Sequence, residues 1–152
     1  KNRFGDSHRR QKMIVYIDTS DLVKLYVDEI GSDAIKEIVR KATVISTSKV
    51  AYAEARSAFA RKQRDDGFSA KVLRNIVEYL NREWESYFLI EVTDGLIRSA
   101  GDIAEKHLLR GFDSIHLASA INLKNKIGSE VYFSSNDEKL NQAAEKEGII
   151  VL

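Results

Sequence analysis

Strands alternating with helices from Met13 to Leu152 predict a three-layer α/β/α domain built on a central, mostly parallel sheet of about five strands. Three observations carry this. Short β-branched runs recur without polar alternation, as strands buried on both faces require. Helical stretches lie between them, giving the right-handed crossovers that join parallel strands. Proline is absent, although ordinary usage of about 5% would give roughly seven or eight, so nothing interrupts those helices.

Met13–Ile17 (MIVYI) is the first strand, ended by Asp18-Thr-Ser-Asp21. LVKLYV then continues at helical spacing, and Gly31-Ser-Asp opens a helix ending near Lys41. Thr43–Ser46 (TVIS) is a short second strand. Ser48–Asp66 reads as a long Ala-rich helix stopped by Gly67, and Ser69 to about Trp84 as another, with Val72, Leu73, Ile76, Val77 and Leu80 on one face. Tyr87–Val92 (YFLIEV) is the third strand, after which Thr93 and Asp94 offer caps for a helix through His107. Arg110-Gly111 breaks the chain before a helix from Asp113 to about Lys126. Glu130–Phe133 is the fourth strand, Asn136–Glu147 a helix closed by Gly148, and Ile149–Leu152 a last strand.

A length of 152 residues with 43% hydrophobic content suits one folded domain. The net charge of +1 conceals an uneven distribution: residues 1–12 hold five Lys/Arg against one Asp, leaving nineteen against twenty-two from Met13 onward. Residues 1–12 therefore read as an N-terminal extension, an added leader or a flexible basic arm, ahead of a single domain over 13–152. The absence of cysteine removes thiolate nucleophiles, disulfides and Cys-type zinc sites. No apolar run approaches a membrane span of about 18 residues, and a cytoplasmic protein is expected. There is no G-x-x-x-x-G-K-[ST] phosphate loop, no G-x-G-x-x-G after the first strand, no G-x-S-x-G and no H-E-x-x-H.

Sheets of this kind bind ligands at the carboxyl ends of their strands, and four acids are candidates for that edge. Asp18 follows the first strand directly; a helix N-cap is its alternative role. Glu54 shares a helical stripe with Val50, Ala51 and Ala58, where an unpaired charge would be costly, so either a cation or an arginine partner is expected. Asp113 opens a helix and could be its cap, and Asp137 could be a first-turn acid of a helix capped by Ser135 or Asn136. Converging carboxylates repel one another, and hard cations such as Mg²⁺ or Mn²⁺ relieve that repulsion. The residues alone thus point to an acidic metal site without separating a nuclease from a phosphatase.

Four segments carry a resemblance: IVYIDTSDLVKLY at 14–26, AYAEARSAFARK at 51–62, LRGFDSIHLASA at 109–120 and FSSNDEKLNQAA at 133–144. Together they resemble the signature blocks of PIN domains, and most closely those of VapC-like toxin ribonucleases of toxin–antitoxin systems. The resemblance implies a PIN-like fold and an endoribonuclease using one or two Mg²⁺ or Mn²⁺ ions held by Asp18, Glu54, Asp113 and Asp137. In-line hydrolysis of RNA would leave a 5′-phosphate and a 3′-hydroxyl. It also implies that Ser20 and Ser135 support the acids, and that the protein forms a homodimer and meets a small antitoxin. Asp21 departs from the family pattern, where a small apolar residue is usual, and is expected either at the pocket rim or as a first-turn acid. His116, three residues after Asp113, reads as a packed helix histidine before a general base. Arg56, Arg61, Lys62 and Arg64 are candidates for RNA contact or for a solvated helix face. Tyr26, Tyr52, Phe59 and Phe68 are expected in the core, with partner contact as the alternative.

Other readings fit less well. A haloacid-dehalogenase phosphatase needs a second Asp where Ser20 stands, and a receiver domain needs adjacent acids and a late lysine that cannot be placed. A housekeeping RNA-processing nuclease and a non-catalytic RNA-binding or scaffold domain of the same fold remain the alternatives.

Overall fold

Alternation along the first strand decides how the layers form. In β1 (Ile14–Ile17), Val15 and Ile17 face one way and Tyr16 the other, and all three are fully buried. Val15 and Ile17 belong to a core completed by α1 (Thr19–Val23), α2 (Ser32–Lys41), α3 (Val50–Asp66) and α4 (Ala70–Trp84) through Leu22, Ile35, Phe59, Val77 and Leu80. Tyr16 belongs to the opposite core, which α5 (Asp94–His107), α6 (Gly111–Ile127) and α7 (Glu138–Lys146) fill with Leu96, Leu117, Leu123 and Leu140. The computed structural model describes residues 12–152, so the expected 1–12 extension lies outside the described residues except for Lys12.

The remaining strands are β2 (Val44–Ser48), β3 (Phe88–Ile90), β4 (Tyr132–Ser134) and β5 (Ile150–Val151). All pairings are parallel and the order is β3-β2-β1-β4-β5. The chain runs outward from β1 through β2 to β3, then returns to place β4 on the other side of β1. The switch point therefore lies between β1 and β4, with Tyr16 in register with both Ser46 and Phe133.

The three-layer α/β/α class and the five strands are as expected, with differences at the ends of elements. The second strand continues beyond Thr43–Ser46 through Ser48, and α3 starts at Val50 instead of Ser48. Polar side chains there looked like a helix start, but they are buried with their hydroxyls satisfied: Ser46 Oγ donates to the Phe88 carbonyl and Thr47 Oγ1 to the Ile17 carbonyl, both at 2.7 Å. The helical spacing after Asp18 yields only the five-residue α1, followed by turns through Val27. Phe59 lies in the core, while Tyr26, Tyr52 and Phe68 are half-buried; Tyr26 packs edge-on against Phe59 and Tyr52 against Trp84.

Candidate active site

A pocket of about 610 Å³ opens at the carboxyl end of the sheet beside the switch point, and Asp18, Glu54, Asp113 and Asp137 all line it. The fold brings each from a different element. Asp18 is the first residue past β1 and caps α1, its Oδ1 accepting from the Asp21 amide at 3.2 Å. Glu54 projects from the second turn of α3. Asp113 is the third residue of α6, whose N-cap is Arg110, so Asp113 is not itself a cap. Asp137 caps α7, its Oδ1 accepting from the Leu140 amide at 3.1 Å.

Asp18 is the most enclosed, only 4% exposed. Ser20 Oγ donates to its Oδ1 at 2.7 Å and Ser135 Oγ to its Oδ2 at 2.6 Å. Burial pushes its carboxyl above the usual range, and this outweighs the opposing pull of His116 and the two serine hydroxyls. The same serines bind the two loops together. The Asn136 amide donates to Ser20 Oγ at 3.1 Å, the Asp137 amide to Ser135 Oγ at 3.0 Å and the Asp18 amide to the Ser134 carbonyl at 3.0 Å.

Of the cation and the arginine partner expected for Glu54, no arginine pairs with it among the described residues. It is half-buried, and its partners are a histidine and a threonine: His116 Nε2 lies 2.8 Å and Thr19 Oγ1 2.7 Å from Oε1. Burial pulls Glu54 upward, but the hydrogen bond and charge of His116, with Thr19, bring it below the usual range. A carboxylate can only accept, so Nε2 carries the proton. Nδ1 is 2.7 Å from the Tyr16 hydroxyl, whose burial raises its pKa and keeps it protonated. Sequence reading treated His116 chiefly as a packing residue. It is packed, 2% exposed, yet its ring connects Tyr16 in the core to Glu54 in the pocket. The i, i+3 spacing from Asp113 was the available signal.

Asp21 is not at the pocket rim. It is 3% exposed and forms a buried ion pair at 3.0 Å with Lys24. Ser134 Oγ donates to its Oδ2 at 2.7 Å, and Lys24 Nζ also donates to Asn136 Oδ1 at 3.1 Å. Arg110 extends over the pocket from the α5–α6 break, its Nε 3.3 Å from Asp113 Oδ2 and its Nη2 4.0 Å from Asp137 Oδ2. Arg61 and Lys62 reach the same mouth from α3, whereas Arg56 and Arg64 do not line it.

The donor set suits a hard cation. Every candidate ligand is a carboxylate oxygen, Glu54 Oε2 and Asp113 Oδ1 have no hydrogen-bond partner among the described residues, and Asp18 carries a buried carboxyl without a paired cation. Among the described residues no three acidic or histidine side chains stand close enough together to hold a metal ion between them. That is compatible with an ion such as Mg²⁺, which keeps several waters and takes few carboxylates.

Residues 15–146 match the PIN domain family model. The chain belongs to the PIN domain family. It is 33% identical over 112 residues to Ribonuclease VapC45 of Mycobacterium tuberculosis, covering 71% of this chain and 75% of that protein. Among solved structures, the PIN fold here superposes on VapC20 of Mycobacterium tuberculosis, described as a Sarcin-Ricin loop cleaving toxin, with a TM-score of 0.62 and 18% identity, covering 85% and 94% of the two chains. VapBC2 from Rickettsia felis, solved on a DNA fragment from its promoter, gives a TM-score of 0.64 at 14% identity, covering 92% and 98%. These structural likenesses concern the PIN fold itself.

Proposed function

We propose that the chain is a Mg²⁺- or Mn²⁺-dependent endoribonuclease, the toxin of a toxin–antitoxin pair. The observation that carries the reading is the convergence of Asp18, Glu54, Asp113 and Asp137 on one open pocket at the sheet's switch point, with Asp18 buried. Membership of the PIN family and likeness to a protein named as a ribonuclease support RNA as the substrate. A bound divalent cation would supply charge for a phosphodiester oxygen and activate water for in-line attack. The protein's part is to hold the four carboxylates apart and oriented. Ser20 and Ser135 keep Asp18 ionisable, and Thr19 and His116 hold Glu54 with Oε2 toward the pocket. Arg110, Arg61 and Lys62 offer cationic contacts for the RNA backbone at the mouth. No side-chain nucleophile is required.

The proposal extends to a homodimer, to a small antitoxin protein as partner and to a cytoplasmic location. The VapBC2 likeness supports the antitoxin. Among the described residues no helix is long and apolar enough to cross a membrane.

The test compares the chain with an Asp18→Asn/Asp113→Asn variant on a pool of structured RNAs, with Mg²⁺, with Mn²⁺ and with EDTA. Cleavage by the parent alone, abolished by EDTA and leaving 5′-phosphates, is the expected result. Cleavage that persists in the variant would place the chemistry elsewhere.

A further inference from the structure

Beside the acidic pocket lies a second groove of about 380 Å³, lined by Val50, Ala53, Glu54, Ser57, Arg61 and Phe112. Glu54, Arg61 and Phe112 line both, so the two cavities are continuous. The groove's volume falls in the roughly 300–1,000 Å³ range of small-molecule sites. Its composition is divided: Phe112, Val50 and Ala53 supply apolar surface, while Arg61 and Glu54 stand at the junction with the acids.

Phe112 is the unusual member. It is 57% exposed, whereas Leu117, Ala118, Ala120 and Leu123 of the same helix are buried in the core. It directly precedes Asp113, so its ring is held one residue from a candidate metal ligand. Small residues on the exposed face of α3, Ala53 and Ser57, leave the space opposite it open. Arg61 Nη1 donates to Ser57 Oγ at 3.2 Å, which lays the guanidinium along α3, and its other N–H groups have no hydrogen-bond partner among the described residues.

We infer that this groove is a nucleotide subsite: Phe112 stacks a base of single-stranded RNA adjoining the scissile phosphate, and Arg61 holds the neighbouring phosphate. The inference rests on the ribonuclease reading and specifies how the substrate is gripped. An exposed aromatic beside a cation is the arrangement by which proteins hold single strands, since every base has a stacking face and every linkage a charge. Duplex RNA, whose bases are already stacked, would have nothing to place in the groove. A base seated there brings its own phosphate to the acids through the shared Glu54–Arg61–Phe112 junction.

The experiment measures cleavage of a labelled single-stranded RNA and of the same strand with an abasic nucleotide scanned through positions flanking the cut. The parent, Phe112→Leu, Phe112→Tyr and Arg61→Gln are compared, with sedimentation and melting of each. On intact RNA, Phe112→Leu is expected to lose about tenfold in kcat/KM and Phe112→Tyr to retain the parent value. At one abasic position the parent should fall to the Leu variant's level, with no further loss in that variant. Arg61→Gln should raise KM on both strands and weaken the salt dependence. Full activity of Phe112→Leu on intact RNA, or an equal Leu defect at every abasic position, would overturn the inference. So would a changed sedimentation coefficient in Phe112→Leu, which would assign the ring to contact with a second copy. If the parent cleaves no RNA in either cation, the ribonuclease reading itself falls and takes the subsite with it.

Discussion

Replacing Asp18 by Asn should make the protein more stable while disabling it. Holding an ionised carboxylate at 4% exposure costs about 5 kcal/mol after relaxation. Part of that is offset by donors at 2.7 Å from Ser20, 2.6 Å from Ser135 and 3.2 Å from the Asp21 amide. A charge-assisted bond contributes about 1 kcal/mol more than its neutral counterpart. Neutralising the acceptor therefore forfeits about 3 kcal/mol in all and saves about 5, a net gain of about 2 kcal/mol. For a domain of this size that raises Tm by about 4–8 °C. The pH dependence has a definite sign. The folded carboxyl titrates above its unfolded value of about 3.9, so it costs nothing in acid and increasingly destabilises the fold as pH rises past that value. Thermal melts of parent and variant in EDTA should thus nearly coincide at low pH and separate toward neutrality. Millimolar Mg²⁺ or Mn²⁺ should narrow the gap by stabilising the parent. A variant that melts below the parent at neutral pH without metal would refute the reasoning, because Asp18 would then be a compensated charge.

Three further outcomes follow from the structure. Asp21→Ala leaves Lys24 buried without its counter-ion and should cost about 3–5 kcal/mol in urea unfolding, while Asp21→Ala/Lys24→Met should recover most of it. Leu108 closes α5 with φ at 55° and is 78% exposed, so Leu108→Gly should stabilise the protein by about 1 kcal/mol in the same measurement. Glu147 titrates below the usual range, through hydrogen bonds from His107 and Lys106 that outweigh burial. Its contribution is fully present above its unfolded value of about 4.3 and is lost as pH falls through the lower folded one. The stability gap to Glu147→Gln, about 0.5–1 kcal/mol at pH 7, should therefore close only in that acid window.

Much of this architecture was legible because the informative residues obey short periods. β-Branched runs marked the strands, Gly67 and Gly148 marked helix ends, and Asp18 and Asp137 fell just beyond strands. Strand ends were read less well, since Thr47 and Ser48 look like helix-entry residues until long-range partners satisfy them. Of the two places expected for Asp21, the first turn of a helix is the one it occupies, and its burial was not legible. An acid in a first turn with a lysine three residues on resembles a solvent-facing pair, and only the fold brings Ser134 against it. The Tyr16–His116 contact joins residues 100 apart, which no local pattern encodes. Arg110 and Gly111 read as a break before a helix from Asp113, whereas the helix starts at Gly111 with Arg110 as its N-cap, and the reach of Arg110 to both Asp113 and Asp137 depends on how α6 and α7 converge.

The position of the switch point has a temporal consequence. The hydroxyl of Ser135 that supports Asp18 lies 117 residues after it, and β1 has no neighbour on that side until β4 is made. Closing so long a loop is slow relative to the local helices, so the acids assemble after most of the chain has folded. A nascent or truncated polypeptide ending before Tyr132 holds Asp18, Glu54 and Asp113 but lacks the strand that frames them. On the proposed function such a fragment would be harmless to RNA. The order of the strands thus makes completion of the site wait for β4.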